Sequence, residues 1–297
     1  MNGTTWWQLL KETVSEWLDD DASRLAAALA FYTAVSVAPL LVMVIVVAGF
    51  VWGQNAVQSQ LMTQLQSAIG PQGADFIATV LNNADQPTAG SIAGLISLGV
   101  LLWGSTNVFA QLQSSLNRIW NVEPKPGRGV WGTIRDRILS FGMVLGIAFL
   151  LLVSLILNAV LSALSNTSSG LLPGIGWVWQ IANFVISFAV ITLLFAAIYK
   201  VLPDVTIGWR SVLGGAIATA LLFTIGKLLL GLYLANATSA YGAAGSVMAF
   251  LLWVYYSAQI LFFGAEFTQV YARHFGMGVR PADNAQFIHS SSPQEAT

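Results

Sequence analysis

Six apolar runs, each long enough to cross a membrane as a helix, recur along the whole chain. The hydrocarbon core of a bilayer is about 30 Å thick, which a helix spans with about 20 residues. Only 8% of the residues are charged, whereas soluble proteins carry roughly a quarter. The sequence therefore predicts an all-α, polytopic six-helix transmembrane bundle. Hydropathy and turn signals place its spans at about 25–52, 91–116, 138–162, 178–199, 211–235 and 243–272.

The positions of lysine and arginine predict the orientation of these spans. Every basic residue except Lys227 lies before the first span, between the second and third, between the fourth and fifth, or after the sixth. The connections on the other side, including the long one at 53–90, contain neither lysine nor arginine. Because basic residues are enriched in cytoplasmic loops, we expect both termini in the cytoplasm, N-in and C-in.

The N-terminal segment, residues 1–23, predicts an amphipathic helix on the cytoplasmic side. Its apolar side chains repeat every three or four residues, so one face of this helix can lie in the headgroup region as an interfacial helix. The acidic run Asp19, Asp20 and Asp21 then stands directly before the first span. Such a run is typical of a helix N-terminus, where carboxylates cap backbone amides and complement the helix dipole.

The rest of the chain divides into a membrane domain and a tail. Residues 24–275 contain the six spans. The connection at 53–90 predicts two short amphipathic helices that form a helical hairpin over the outer side of the bundle. Residues 276–297 are polar and lack periodic apolar residues, which predicts a flexible cytoplasmic tail.

The sixth span contains Glu266, which has no lysine or arginine within one helical turn. An ionised group at the bilayer centre costs at least about 2.5–3.5 kcal/mol, so it needs a partner, water or a proton. By the helical rise, Glu266 lies about 10 Å from the cytoplasmic end of its helix, and Gln259 shares its face. In the second span, Asn107, Gln111 and Arg118 share a polar face at a similar depth. These five residues are the candidate site.

Two interpretations of this polar cluster remain open. The cluster can line a water-accessible pocket open to the cytoplasm, or it can be a set of interhelical hydrogen bonds that closes the bundle. The second intramembrane charge, Lys227, is offset from Glu266 by roughly 15 Å along the membrane normal, which is too far for an ion pair. We expect its aliphatic stem to extend toward the membrane surface.

Four stretches resemble a known family. They are AAALAFYTAVSVAPLL in the first span, LNRIWNV after the second, YKVLPDVTIGWRSVLGGAIAT across the fourth and fifth, and YGAAGSVMAFLLWVYYSAQILFFGAEF in the sixth. In order and spacing they resemble the YihY/virulence factor BrkB family of bacterial inner-membrane proteins, over roughly residues 20–275. The Tyr-Gly-Ala-x-Gly-Ser start and the later Gly-Ala-Glu are the most specific parts.

The resemblance implies six helices and cytoplasmic termini, but it implies no single activity. Members of the family have been named ribonuclease BN, linked to serum resistance, or suggested to act in transport or on envelope lipids. No catalytic set accompanies the resemblance. The residues at the family's characteristic positions are Glu266, Tyr241, Gly242, Gly245, Arg118, Trp120, Pro203 and Asp204.

The chemistry of the sequence argues against an enzyme. Hydrolysis of a phosphodiester requires a metal cluster or an acid and base pair, and the only histidines, His274 and His289, lie beside the tail and within it. The chain contains no cysteine and no carboxylates at metal-ligand spacing, so we predict neither a metal nor another cofactor. We also expect no nucleic acid partner.

The leading prediction is a transporter of an ion, a small solute or a lipid, with Glu266 linked to a proton or in contact with the substrate. The alternative is an envelope scaffold or assembly factor that transports nothing. Expected partners are membrane lipids, with anionic headgroups at the basic loop 118–137, and further copies of the chain in a homo-oligomer.

Overall fold

The computed structural model describes residues 3–82, 107–126, 142, 176–237, 244–275 and 278–288. Within these residues the fold is a helical bundle with four very short strands. The helices are α1 (Gly3–Asp19), α2 (Ala22–Trp52), α3 (Gln54–Asn82), α4 (107–119), α5 (Gly176–Val201), α6 (Trp209–Ala237) and α7 (Gly245–His274). The strands are β1 (Val122–Pro124), β2 (Val205–Thr206), β3 (Arg280–Pro281) and β4 (Ala285–Phe287).

Four helices of the described residues are long and apolar enough to cross a membrane. These stretches correspond to the predicted first, fourth, fifth and sixth spans, which confirms a mostly helical membrane protein. The predicted third span lies outside the described residues apart from residue 142, and of the second span only residues 107–116, in α4, are described. The four stretches are Ala22–Val42, Trp177–Val201, Trp209–Tyr233 and Gly245–His274.

The connection after α2, for which the sequence predicts a hairpin of two short helices, forms α3, whose two helical halves meet at a kink. Its backbone leaves the helical conformation at Gly70, with φ 79° and ψ 169°, directly before Pro71. Glycine suits this positive φ because it has no Cβ, and proline suits the first turn of the next helix because it needs no amide donor there. Both halves of α3 turn apolar residues, Ile69 and Ile77, toward α2 and the first half of α7.

Helix α7 is the centre of the bundle. It packs against α1, α2, α3 and α6, and α6 in turn packs against α5. The small residues Ala22, Ala26 and Ala30 of α2 are buried in this core. Small side chains allow close approach of helices in a membrane, where burial of apolar surface against apolar lipid gains little.

The crossing of α6 and α7 is built from two reciprocal contacts. Thr268 of α7 lies on Gly215 of α6, and Thr219 of α6 lies on Gly264 of α7. Each threonine hydroxyl donates to a carbonyl one turn earlier in its own helix, Thr219 to Gly215 at 2.7 Å and Thr268 to Gly264 at 2.6 Å. The hydroxyl of Tyr199 adds a bond to the Leu261 carbonyl at 2.8 Å. This crossing sets both the depth and the rotation of α7.

The segment at 278–288 differs from the predicted flexible tail. It forms β3, which pairs antiparallel with β2, and β4, which pairs antiparallel with β1. Strands of two or three residues have no periodic signal of their own, because their stability comes from partners that are distant in sequence. Residues 289–297 lie outside the described residues.

Asp204 joins this segment to the bundle. Its carboxylate accepts hydrogen bonds from the side-chain amides of Asn117 at 2.8 Å and Asn284 at 2.9 Å, and from Gln113 at 3.4 Å. Its backbone amide donates to the side-chain oxygen of Asn117 at 2.8 Å. Asp204 is buried, so these amides replace the water that a buried carboxylate loses.

We expect Gly215→Ala to destabilise the protein by about 1–3 kcal/mol or more. The added Cβ would lie 2.7 Å from the Cβ of Thr268 and closer still to its hydroxyl, so α6 and α7 would have to separate. Gly214→Ala is the matched control, because its Cβ would meet only Tyr271 at 3.8 Å. Thermal unfolding in detergent should show a lower midpoint for Gly215→Ala alone, and equal midpoints would contradict this crossing.

We expect Asp204→Ala to release the segment 278–288 and to lower stability by about 3 kcal/mol, because the buried amide of Asn117 and the partly buried amide of Asn284 lose their acceptor. Limited proteolysis should show faster cleavage within this segment. Asp283→Ala is the control, since the exposed Asp283 holds Lys125 through its backbone carbonyl. Cleavage at the same rate in both variants would show that Asp204 does not anchor the segment.

Candidate functional site

Helix α1 lies across one end of the bundle, against the last turns of α7. We call this end, which carries Arg118, Lys200 and Arg273, the basic end. On α1, Leu9 and Thr13 are fully buried. The opposite face carries an exposed apolar stripe. This stripe consists of Trp7, Leu10, Val14 and Leu18.

Ion pairs and one ring stack join α1 to α7. The guanidinium of Arg273 donates to Glu12 at 2.6 Å and to Glu16 at 2.7 Å. The ring nitrogen Nε2 of His274 is 2.7 Å from the second oxygen of Glu12. The Trp6 ring stacks on Phe267 with centroids 6.5 Å apart. The acidic face of α1 is therefore paired with α7, and its apolar stripe stays exposed.

The turn between α1 and α2 directs two aspartates in opposite directions. Asp21 has a left-handed backbone, with φ 53°, which aspartate adopts more readily than most residues. Its exposed side chain pairs with Arg24 at 2.9 Å. Asp20, one residue earlier, is directed toward the interior, where its side chain is 16% exposed. The predicted role of these acids as caps is wrong for α2, because its N-cap Asp21 makes no side-chain capping bond.

Glu266 meets Asp20 inside the basic end. Glu266 follows Gly264 by two residues, or about 200° of helical rotation, so the α6–α7 crossing turns it away from α6. It has no exposed surface, and its carboxyl group lies within hydrogen-bonding reach of the Asp20 carboxyl. Among the described residues, no N–H or hydroxyl group donates to either Glu266 oxygen. Asp20 and Glu266 therefore form a carboxyl pair, in which Glu266 is fully buried and Asp20 is partly buried.

A carboxyl pair of this kind binds a proton. Two ionised carboxylates in contact repel each other strongly, whereas one shared proton converts the repulsion into a hydrogen bond. Burial raises the pKa of the Asp20 carboxyl above its ordinary value, although the hydrogen bond to Glu266 and the charge of Arg118 act in the opposite direction. The Nε atom of Arg118 lies 3.8 Å from Oδ1 of Asp20, so this guanidinium balances the negative charge that remains on the pair.

The structure brings together part of the predicted site. Arg118 reaches the neighbourhood of Glu266, but through Asp20 rather than directly. Gln111 donates to Ser115 of its own helix at 3.3 Å. The side-chain oxygen of Gln259 is buried and accepts no hydrogen bond from the described residues.

Four further predictions concern the surroundings of this site. Asn107 lies half-buried in α4, and Lys227 is exposed on α6 beside Leu228 and Leu229, away from the carboxyl pair. The predicted open pocket differs from the structure, because Glu266 is fully enclosed. No cluster of three or more acidic or histidine side chains suited to a metal ion occurs within the described ranges.

Asp20 is the residue that the sequence did not reveal as part of the site. A local explanation, helix capping, was available for its acidic run, and nothing local connects it to Glu266. The available signal was the acidic face of α1, which complements Arg273 and His274 at the end of α7. That match places the end of α1, and so Asp20, beside the last turns of α7.

The four long apolar helices define an integral membrane protein. The chain matches the family model for virulence factor BrkB over residues 13–288, and it belongs to that family. The resemblance inferred from its motifs is therefore confirmed. No solved structure matches the chain.

Curated relatives are proteins named UPF0761 membrane protein. The chain is 28% identical to the one from Psychrobacter sp. (strain PRwf-1), with 91% of this chain and 51% of the relative covered. It is 27% identical to the one from Acinetobacter baylyi, with 88% and 61% covered, and 26% identical to the one from Pseudoalteromonas translucida, with 89% and 84% covered. The chain thus spans about half to three fifths of the length of the first two.

We expect the raised pKa of Asp20 to make stability depend on pH. A carboxyl whose pKa is raised on folding stabilises the fold in its protonated form, and this contribution is lost as the pH rises from about 4 through the raised value. Asp20→Asn, which cannot ionise, should flatten this part of the curve of thermal midpoint against pH. Asp21→Asn, at the exposed neighbour, should leave the curve as in the original protein. A curve unchanged by Asp20→Asn would contradict the carboxyl pair.

Proposed function

We propose that this protein is a transporter of the bacterial inner membrane that binds a proton between Asp20 and Glu266. The single observation that carries the proposal is the enclosed carboxyl pair at the end of the membrane helices. Burial of Glu266 against a second acid, with no donor to its oxygens among the described residues, is costly, and threonine or glutamine pairs would join helices without that cost. Unlike threonine or glutamine, an acid at this position can gain and lose a proton.

The proposed topology has six spans with both termini in the cytoplasm. In support, the segments that carry Arg118, Lys200 and Arg273 meet at one end of the bundle, which the charge distribution assigns to the cytoplasm. The carboxyl pair then lies near the cytoplasmic surface. Anionic headgroups near the basic loop 118–137 and further copies of the chain are the proposed partners.

The proposed cycle uses the proton to change the charge of the site. With one proton, the pair carries a single negative charge beside Arg118; without it, two negative charges repel across the contact between the α1–α2 turn and α7. Loss of the proton thus favours separation of these elements. The movement of an ion, a small solute or a lipid would be coupled to this separation, with a gradient or a partner ATPase as the energy source.

The second candidate is an envelope scaffold. The observations that favour it are the reciprocal contacts of α6 and α7 and the full enclosure of Glu266, which suit a rigid assembly as well as a resting transporter. In that case the carboxyl pair would hold α1 against α7 and would not release its proton. We propose no catalytic role and no cofactor.

Glu266→Gln separates the two candidates. Glutamine keeps the shape of the side chain and still bonds to Asp20, but it cannot release a proton. Purified protein is placed in vesicles of phosphatidylethanolamine and phosphatidylglycerol, and movement of protons, of sodium or potassium, and of a fluorescent phospholipid is followed under an imposed pH gradient. We expect flux above that of empty vesicles for the original protein, and loss of that flux in Glu266→Gln.

Asp75→Asn is the control, because it removes an exposed carboxylate on α3 outside the basic end. It should keep the flux of the original protein. The transport proposal is excluded if the original protein and Glu266→Gln are equally inactive toward all the probes while both keep their helical content and their oligomeric size. The scaffold would then remain.

A further inference from the structure

The groups outside α7 that face Glu266 come from the N-terminal segment. The Asp20 carboxyl lies within hydrogen-bonding reach of Glu266, and Glu16 of α1 lies close enough to interact electrostatically. From α7 itself Arg273 faces the same space, and Arg118 of α4 faces Asp20. On this side, the carboxyl pair is thus covered by α1 and its turn.

Helix α1 is attached to the bundle as a lid would be. It packs chiefly on α7 and only lightly on α2. It is joined to α2 by the two-residue turn Asp20–Asp21, where the helical backbone is interrupted by the left-handed Asp21. A short non-helical turn is where a rigid helix can pivot, because few dihedral angles have to change.

The contacts that hold α1 closed are of two kinds. Leu9 is fully buried, which makes the closed position the resting one. The ion pairs of Arg273 with Glu12 and Glu16 are partly exposed, with side-chain exposures of 27–49%. Exposed ion pairs are weak and are screened by salt, so they can open without disruption of the core.

The outer face of α1 is apolar and exposed. Trp7, Leu10, Val14 and Leu18 form a stripe at helical spacing and are all exposed. A helix with such a stripe lies in the headgroup region with its apolar face toward the acyl chains. The helix can therefore move away from α7 while its apolar stripe stays in the membrane surface.

We propose that α1 is a hinged lid that closes the carboxyl pair off from the cytoplasm, with its pivot at Asp20–Asp21 and its latch in the ion pairs of Arg273 with Glu12 and Glu16. This inference rests on the proposed function, because a lid has a purpose only if the pair exchanges protons with the cytoplasm. Opening of α1 withdraws Asp20 from Glu266 and admits water to both.

The lid is tested by thiol labelling, which requires no transport. The chain contains no cysteine, so Glu266→Cys introduces a single reporter thiol beneath α1. The full chain is placed in inside-out membrane vesicles, and the rate of reaction with a membrane-impermeant methanethiosulfonate is measured. We expect the added substitutions Glu12→Gln and Glu16→Gln to raise this rate about threefold to tenfold, which corresponds to the loss of two exposed ion pairs.

The control adds Glu123→Gln to the same reporter, because Glu123 is an exposed carboxylate on β1, and it should leave the rate unchanged. A second measurement needs only the reporter variant. Raising the salt from about 0.1 M to about 1 M shortens the screening length from about 10 Å to about 3 Å. The labelling rate should rise with salt while the latch is intact, and it should no longer depend on salt after Glu12→Gln and Glu16→Gln.

Equal labelling rates in all three proteins, together with a rate independent of salt, would overturn the lid. The vesicle flux of the original protein decides the proposed function separately. A labelling rate that responds to the latch in a protein without flux keeps the lid and removes the transporter. Flux without any response of the labelling rate keeps the transporter and removes the lid.

Discussion

The close crossing of α6 and α7 is the contact on which the rest of the structure depends. Lipid surrounds these helices, so apolar burial does little to bring them together, and their association relies on small residues that allow close approach. Thr219 packs on Gly264 and Thr268 packs on Gly215, which gives this close approach. Since α7 also packs on α1, α2 and α3, its rotation decides what faces each neighbour. Glu266 faces the N-terminal segment for this reason.

The carboxyl pair is the energetic exception in a bundle that otherwise follows ordinary packing rules. At the same end, the buried carboxylate of Asp204 shows the usual solution, because side-chain amides donate to it. Glu266 instead meets a second acid, and the nearby amide of Asn117 is already bonded to Asp204. A local conflict of this kind persists when the surrounding fold imposes it, and such conflicts are concentrated at functional sites.

The sequence predicted the helices of the described spans well and the short strands poorly. A span is recognised from the length of an apolar run, which is a local property, so α2, α5, α6 and α7 lie close to their predicted positions. Strands β3 and β4 have no such signal, because pairing with β1 and β2 creates them. Glu266 was found because an acid in an apolar helix is conspicuous. Asp20 was missed because aspartates beside a helix start have a simpler local explanation.

The sequence alone determined that this chain is a membrane protein, where its apolar helices lie, and which side chain is costly to place there. These conclusions follow from free energies of transfer into lipid, which each segment carries with it wherever the chain folds. Only the tertiary structure decided that Glu266 meets Asp20, that Arg118 stands behind that pair, and that α1 covers it. Those contacts depend on helix rotation and register, which are set by packing between residues far apart in the chain.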